Sequence, residues 1–340
     1  MSLPTKERFS KIVNAFSNIE PILVVGDVGV DKYTYGEVKR ISPEAPVPIL
    51  EVSKEWQKLG LAANVSDNLQ SLGVKSTLCG VVGNDQNASL LESLLEEEGL
   101  KTWGIVRSAN RMTTFKERVT TNQQQICRVD YETNQELDED SFKKILNRLE
   151  DFYGNHSLVI IEDYGKGLVT SELCQVLISK FKSMNKMVAV DPSRNTSPLY
   201  YKGCDLLKPN FVESQMMAEA LGYRKLKDVA KIAEVLIDKL DLKKLIITLG
   251  ADGMALLDRE ADGKLHMIPT VANEVFDVSG AGDTAISAIS SALAAGATLE
   301  EAAWIGNCAS GVVVGKKGTA SVTREELFAY YDNLVKKNIH

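Results

Sequence analysis

Short, continuous apolar runs recur along the chain, and each ends in glycine or a polar residue before a helical pattern begins. Pro21–Val25 ends at Gly26-Asp27, Ser157–Ile161 stops just short of Asp163, Met187–Val190 ends at Asp191, and Lys243–Leu249 ends at Gly250. A run that is apolar at every position reads as a strand buried on both faces. Between such runs lie helices with clear stops: Val65, Leu69 and Leu72 lead to Gly73, and Leu90, Leu91, Leu94 and Leu95 lead to Gly99. Strand Ser76–Val82 sits between those helices, and Leu206-Leu207 leads through Lys208-Pro209-Asn210 into a helix carrying Glu213. Repeated strand-then-helix order calls for an α/β fold, with a mostly parallel sheet covered by helices on both faces.

Two stretches break this rhythm. Residues 33–55 carry Tyr33, Tyr35, Ile41, Val47, Ile49, Leu50 and Val52 among prolines with no helical period, and residues 101–132 contain the extended stretches Thr113–Val119 and Ile126–Asp130. Together they predict a small β-sheet lid outside the main sheet. Residues 1–20 are polar with Phe9, Ile12, Val13 and Phe16 on one helical face, and are expected to be an extension packed on the surface of a domain spanning 21–340.

The chain has 340 residues, a net charge of −7 and a pI near 5.3, a balance that argues against a general nucleic-acid or membrane-surface binder. Five scattered cysteines without metal or redox spacing, no leader pattern and no long apolar run predict a reducing, cytoplasmic setting. The three histidines, His156, His266 and His340, are too dispersed for a zinc site or a Ser-His triad. A Walker loop is excluded, because Gly311–Gly315-Lys316 has one residue too few between its glycines and no Ser or Thr after the lysine.

The sharpest chemical signal is Asp277-Val278-Ser279-Gly280-Ala281-Gly282-Asp283-Thr284, which joins an extended run, Met267–Val275, to an apolar helix. Orphan amides and the positive end of the helix dipole meet at these glycines, making an anion site. Asp283 puts a carboxylate beside it, as a reaction would need that takes a proton from a hydroxyl while stabilising a phosphoryl group. The plainer alternative is a dipole-complementing carboxylate on a glycine-rich N-terminus. Asp27 and Asp31, just past the first strand, suit sugar hydroxyls, the alternative being a turn cap and a solvated charge.

This constellation at successive strand ends resembles the ribokinase-like (PfkB) carbohydrate kinases, from Ile22 to about Leu327, with Asp277–Thr284 as the most specific part and Gly60–Asn64 as a weaker one. Within the family it is most similar to the kinases that phosphorylate D-glycero-β-D-manno-heptose 7-phosphate at C1. The words that carry this are Gly26–Tyr33, Arg40–Pro48, Asp163-Tyr-Gly-Lys-Gly167 and Gly311–Thr319. Bifunctional relatives continue into a nucleotidyltransferase domain, so a chain ending at His340 is expected to be the stand-alone kinase.

The resemblance implies a three-layer α/β/α fold, ATP and Mg²⁺, a small-molecule sugar or sugar phosphate, and a homodimer formed through the lid. By residue, it implies Asp283 as base, with the amides of Gly280, Ala281 and Gly282 holding phosphoryl oxygens. Asn210 and Glu213 would serve Mg·ATP, Glu213 through metal-bound water. Thr248, Gly250, Gly253 and Asn307 would line the nucleotide, and Asp27, Asp31, Gly60 and Asn64 the sugar. Asp277 and Ser279 would neighbour a monovalent cation such as K⁺. Lys116, Arg118, Arg128 and Lys166 are the candidates for anchoring a substrate phosphate, the alternative being solvated lid charges. Two departures bear on the sugar: Leu61 stands where the family has a second glycine, and Ser193-Arg194 follow Asp191-Pro192 where heptose kinases carry Lys. A kinase for another sugar or nucleoside, and a non-catalytic sensor, are the competing readings.

Overall fold

The computed structural model describes residues 2–122, 124–272, 276–316 and 318–337. The chain runs through α1 (Lys6–Ala15), β1 (Ile22–Gly26), β2 (Val28–Ile41), β3 (Pro48–Leu61), α2 (Ala62–Ser71), β4 (Ser76–Gly83), α3 (Gln86–Glu97) and β5 (Ile105–Ser108). It continues with β6 (Thr114–Thr120), β7 (Gln125–Tyr131), α4 (Glu139–Glu150), β8 (Leu158–Glu162), α5 (Ser171–Ser183), β9 (Met187–Asp191), β10 (Leu206–Leu207), α6 (Phe211–Ala220) and α7 (Val229–Lys239). Last come β11 (Lys244–Thr248), β12 (Met254–Asp258), β13 (Leu265–Ile268), α8 (Ala281–Ala294), α9 (Leu299–Val313) and α10 (Arg324–Lys336).

The apolar runs form the middle of a sheet ordered β13-β12-β11-β10-β9-β8-β1-β4-β5, parallel from β5 to β11 and antiparallel at β12 and β13. Each buried strand feeds both faces by alternation. In β1, Ile22 and Val24 join the core under α2, α8 and α9, while Leu23 and Val25 join the core under α5 and α7. Each such fully buried aliphatic side chain contributes about 1.5–3 kcal/mol, so the strands that carry the site are firmly anchored in the core.

The second sheet is ordered β3-β2-β6-β7, with β2 and β6 parallel and its other pairs antiparallel. Its limits differ from the sequence expectation in two ways. β2 begins at Val28, so Asp31 belongs to it. β5, expected with the small sheet, pairs in parallel with β4 at the main sheet's edge, Gly80 against Ile105. A four-residue edge strand alternates in burial as a strand of the smaller sheet would, so its sequence does not say which sheet it joins.

The N-terminal helix is also more than a surface extension. Phe9, Ile12, Val13 and Phe16 are fully buried, and Phe9 stacks on Tyr331 of α10 at 4.0 Å. Met267–Val275 is paired as a strand only to Ile268; residues 273–275 and His340 lie outside the described residues.

Candidate active site

The parallel strands end in one cleft of about 1030 Å³, lined by Asp283, Gly280 and Gly282 on one side, Asn210, Glu213, Thr248 and Gly250 on another, and Lys116, Arg128 and Lys166 from the smaller sheet's side. Ligands bind beyond strand carboxyl ends in open α/β sheets because the loops there are free to converge.

At the centre stands Asp283, 6% exposed, in the first turn of α8. Asn64 Nδ2 donates to its Oδ2 at 2.6 Å, and the Tyr164 hydroxyl donates to its Oδ1 at 2.6 Å. Burial holds this carboxyl above its ordinary pKa, against the pull of Asn64, Tyr164 and Lys208. Gly280 precedes it at φ 77, and a Cβ there would lie 2.9 Å from Asn64 Nδ2, so glycine is required both for conformation and for space. The Ala281 amide turns onto the Val278 carbonyl at 3.2 Å and so leaves the expected set of anion donors. The first helical bond runs from Thr284 to Gly280, so the amides of Gly282 and Asp283 are the first-turn donors left for an anion.

Lys208, only 3% exposed, lies across the cleft floor with its Nζ 2.6 Å from Asp191 Oδ2. A Cβ on Gly282 would stand 3.7 Å from that Nζ and 3.8 Å from Asp191 Oδ2, so this glycine keeps open the space between cation and helix amides. Free helix amides beside an ammonium are a donor set of the kind that receives anions. Glu162 is buried beside them with Oε2 unpartnered, and burial raises its pKa well above the carboxylate range; Asp191 is pushed up to about 7, chiefly by burial.

The remaining expected residues divide by position. Asn210 and Glu213 form a capping box on α6, with Asn210 Oδ1 accepting from the Glu213 amide and Glu213 Oε2 from the Asn210 amide; both line the cleft. Thr248 and Gly250 line it too, Gly250 at φ 60. Gly253 and Asn307 do not. A Cβ on Gly253 would meet the Ile268 carbonyl at 2.0 Å, and Asn307 donates to the Pro269 carbonyl at 2.7 Å, so both are tied to the segment after β13. Asp277 accepts from the amides of Ser279 at 2.9 Å and Gly318 at 3.1 Å, which fixes the turn before α8.

On the sugar side, Asp27 does not face the cleft with free oxygens. It accepts the amides of Tyr164 (3.1 Å), Lys166 (3.0 Å) and Leu168 (3.3 Å), clamping that loop. Asp31 is paired to Arg118 at 2.6 Å, and Gly60 lies against it, where a Cβ would be 3.1 Å from Asp31 Oδ2. Arg128 is paired with Asp130 at 2.8 Å and Lys166 with Glu132 at 2.7 Å. Lys116 lies over the Tyr164 ring, 5.5 Å from its centroid, with no carboxylate at ion-pair distance among the described residues, and burial lowers its pKa.

The sequence profile of the pfkB family of carbohydrate kinases matches residues 22–326. The chain belongs to that family. It is 41% identical to the bifunctional protein HldE of Sulfurimonas denitrificans over 96% of this chain and 67% of that protein. It spans about two thirds of the length of the curated relatives it matches. In fold it is similar to phosphofructokinase-2 from Escherichia coli, solved with potassium (TM-score 0.75, 20% identity, 93% of this chain and 99% of that one). It is likewise similar to the ribokinase of Arabidopsis thaliana, solved with ribose and ATP (TM-score 0.69, 19% identity, 92% and 98%). This pfkB-family chain is thus a ribokinase-like sugar kinase by fold and sequence.

Sequence reasoning missed Tyr164, Glu162 and Lys208. Tyr164 stood inside the quoted Asp163–Gly167 word, and a lysine directly after the buried Leu206-Leu207 is itself a signal, since an unpaired ammonium is costly at such a depth.

Proposed function

We propose that this chain transfers the γ-phosphoryl group of ATP to the C1 hydroxyl of D-glycero-β-D-manno-heptose 7-phosphate, toward ADP-heptose and the lipopolysaccharide core, in the cytoplasm. The observation that carries this reading is Asp283, a buried carboxylate held on both oxygens at the glycine-rich start of α8, within the cleft that also holds Lys208 and Lys116. Asp283 takes the hydroxyl proton as the sugar oxygen bonds to phosphorus and the bond to the ADP oxygen breaks. The amides of Gly282 and Asp283, with Lys208, stabilise the phosphoryl oxygens in flight. Mg²⁺, held largely by nucleotide phosphates and water with Glu213 nearby, would neutralise charge on the phosphates. The Arabidopsis ribokinase solved with ATP supports the nucleotide assignment. Asp277 and Ser279 would neighbour a potassium ion, as the E. coli phosphofructokinase-2 solved with potassium suggests. Val52 and Tyr131, about half exposed on strands of the smaller sheet, support pairing of two chains through that sheet.

The experiment is ADP release over a panel of sugars with and without a terminal phosphate. Heptose 7-phosphate should give the highest kcat/KM, and Asp283→Asn should lower kcat by about 10²–10⁴, the usual worth of a positioned base. Near-wild-type turnover in Asp283→Asn would refute the mechanism. A kinase for a different sugar is the second reading, favoured by Leu61 at φ 56, ψ −137 and by Ser193, whose Oγ would lie 3.0 Å from a Cβ on Gly165 of the sugar-side loop.

A further inference from the structure

Asp283 is oriented from two sides, and only one of them stood in the expected site. A carboxylate rotates broadly about its Cβ–Cγ bond, so a single hydrogen bond leaves its plane loosely set. Asn64 supplies one point at Oδ2. It is itself braced by Asn68, whose Nδ2 donates to the Asn64 carbonyl at 2.9 Å and whose Oδ1 accepts from the Thr284 hydroxyl at 2.7 Å. The second point is the Tyr164 hydroxyl at Oδ1. Its loop is fixed in turn by the buried Asp27 carboxylate, which gathers the amides of Tyr164, Lys166 and Leu168.

We propose that Tyr164 is a positioning residue for the phosphoryl transfer: clamped through its loop by Asp27, its hydroxyl fixes the Asp283 carboxylate plane opposite Asn64. This rests on the reading of Asp283 as the base. Each carboxylate oxygen accepts two hydrogen bonds, so Asn64 and Tyr164 leave further acceptor positions for the sugar hydroxyl. A neutral phenol orients the base without neutralising it, as an arginine in its place would. The charged groups that bear on the pair are Asp31 from β2, Lys116 from β6, Glu162 from β8, Asp191 from β9 and Lys208 after β10. A donor to the ionised form lowers a carboxyl pKa, so deleting the hydroxyl raises that of Asp283 and moves the acid limb of activity to higher pH.

The test uses the purified chain with the sugar that the panel turns over fastest. Tyr164→Phe should lower kcat about tenfold at neutral pH, leave the KM for ATP unchanged, and move the acid limb of kcat up by about one pH unit. A purely structural role would lower the melting temperature and leave the limb in place. Replacing Tyr164 with 3,5-difluorotyrosine keeps the shape and strengthens the donor, so the limb should move down with kcat retained; this holds the test open if the phenylalanine variant does not fold. A wild-type limb in the folded variants would overturn the proposal. An inactive Asp283→Asn beside a wild-type Tyr164→Phe sinks Tyr164 alone, whereas an active Asp283→Asn removes the reading beneath it.

Discussion

On the α8 side of the cleft, Asp283 is held by two neutral donors, Asn64 and Tyr164, while on the smaller sheet's side Asp31, Asp130 and Glu132 are each matched to a cation, Arg118, Arg128 and Lys166. The two solutions suit different tasks. A base must keep its charge available, so it is oriented by groups that carry none. Cations proposed to hold a substrate phosphate can wait beside carboxylates, but each would then exchange partners when the phosphate arrives. Lys116 stands outside that pattern and is ready without exchange, at the cost of partial desolvation.

Charge removal on the cleft floor should give the largest effect. Lys208→Met leaves Asp191 and Glu162 buried without their cation and should cost about 3–5 kcal/mol of stability at pH 8. Asp191 already has a raised pKa, and losing Lys208 raises it further. A raised carboxyl pKa favours folding at low pH and loses that advantage as pH rises through it, so the variant's deficit in chemical denaturation should shrink toward pH 5. A deficit independent of pH would mean that the floor is held by packing and not by charge.

A smaller effect is expected across the cleft, where the comparison becomes sharper. Lys116→Met should raise KM for a phosphorylated sugar by about tenfold to 150-fold with kcat little changed, since a partly buried cation on an anion is worth about 1.5–3 kcal/mol. Arg128→Ala, half-exposed and already paired, should shift it by less than about threefold. Steady-state kinetics on the two variants decides which cation anchors the phosphate, and equal effects would erase the distinction between committed and free cations.

The effect on stability is smaller at Leu61 than on the cleft floor, because backbone and side chain pull in opposite directions there. At φ 56, ψ −137 a leucine is strained by about 1–3 kcal/mol, yet its side chain is buried and its loss costs about 2–5 kcal/mol. Burial wins, so Leu61→Gly should be destabilised by about 1–2 kcal/mol in thermal melts. A stabilised variant would show that backbone strain at the sugar side outweighs packing.

The main sheet was legible because a strand buried on both faces writes its burial into every residue, as in Leu158–Glu162, and because glycine stops such as Gly73 and Gly99, both at positive φ, mark helix ends locally. Asp283 was legible for the same reason, as a glycine-rich turn running into an apolar helix is a local pattern. The edge strand β5 was misassigned because four alternating residues carry no address. Tyr164 and Lys208 were missed because their partners lie 119 residues away at Asp283 and across a strand gap at Asp191, a proximity created by the sheet order and not by any spacing. Asp27 and Arg118 were read as ligand groups although each is committed to this chain, since residue type reveals the chemistry of a side chain but not whether a neighbour already uses it.

The ribbon formed by β2 and β3 has a mechanical consequence. Each is 14 residues long, rooted at Val28 and Leu61 beside the cleft and ending at the exposed Ile41 and Pro48. At about 3.3 Å per residue such a strand reaches about 46 Å, so a rotation of about 5° at the root carries the tip about 4 Å. An angular adjustment at Asp31 too slight to register in a hydrogen-bond length would therefore be read at the far end as a displacement of atomic size, which makes the tip a sensitive place for a spectroscopic label.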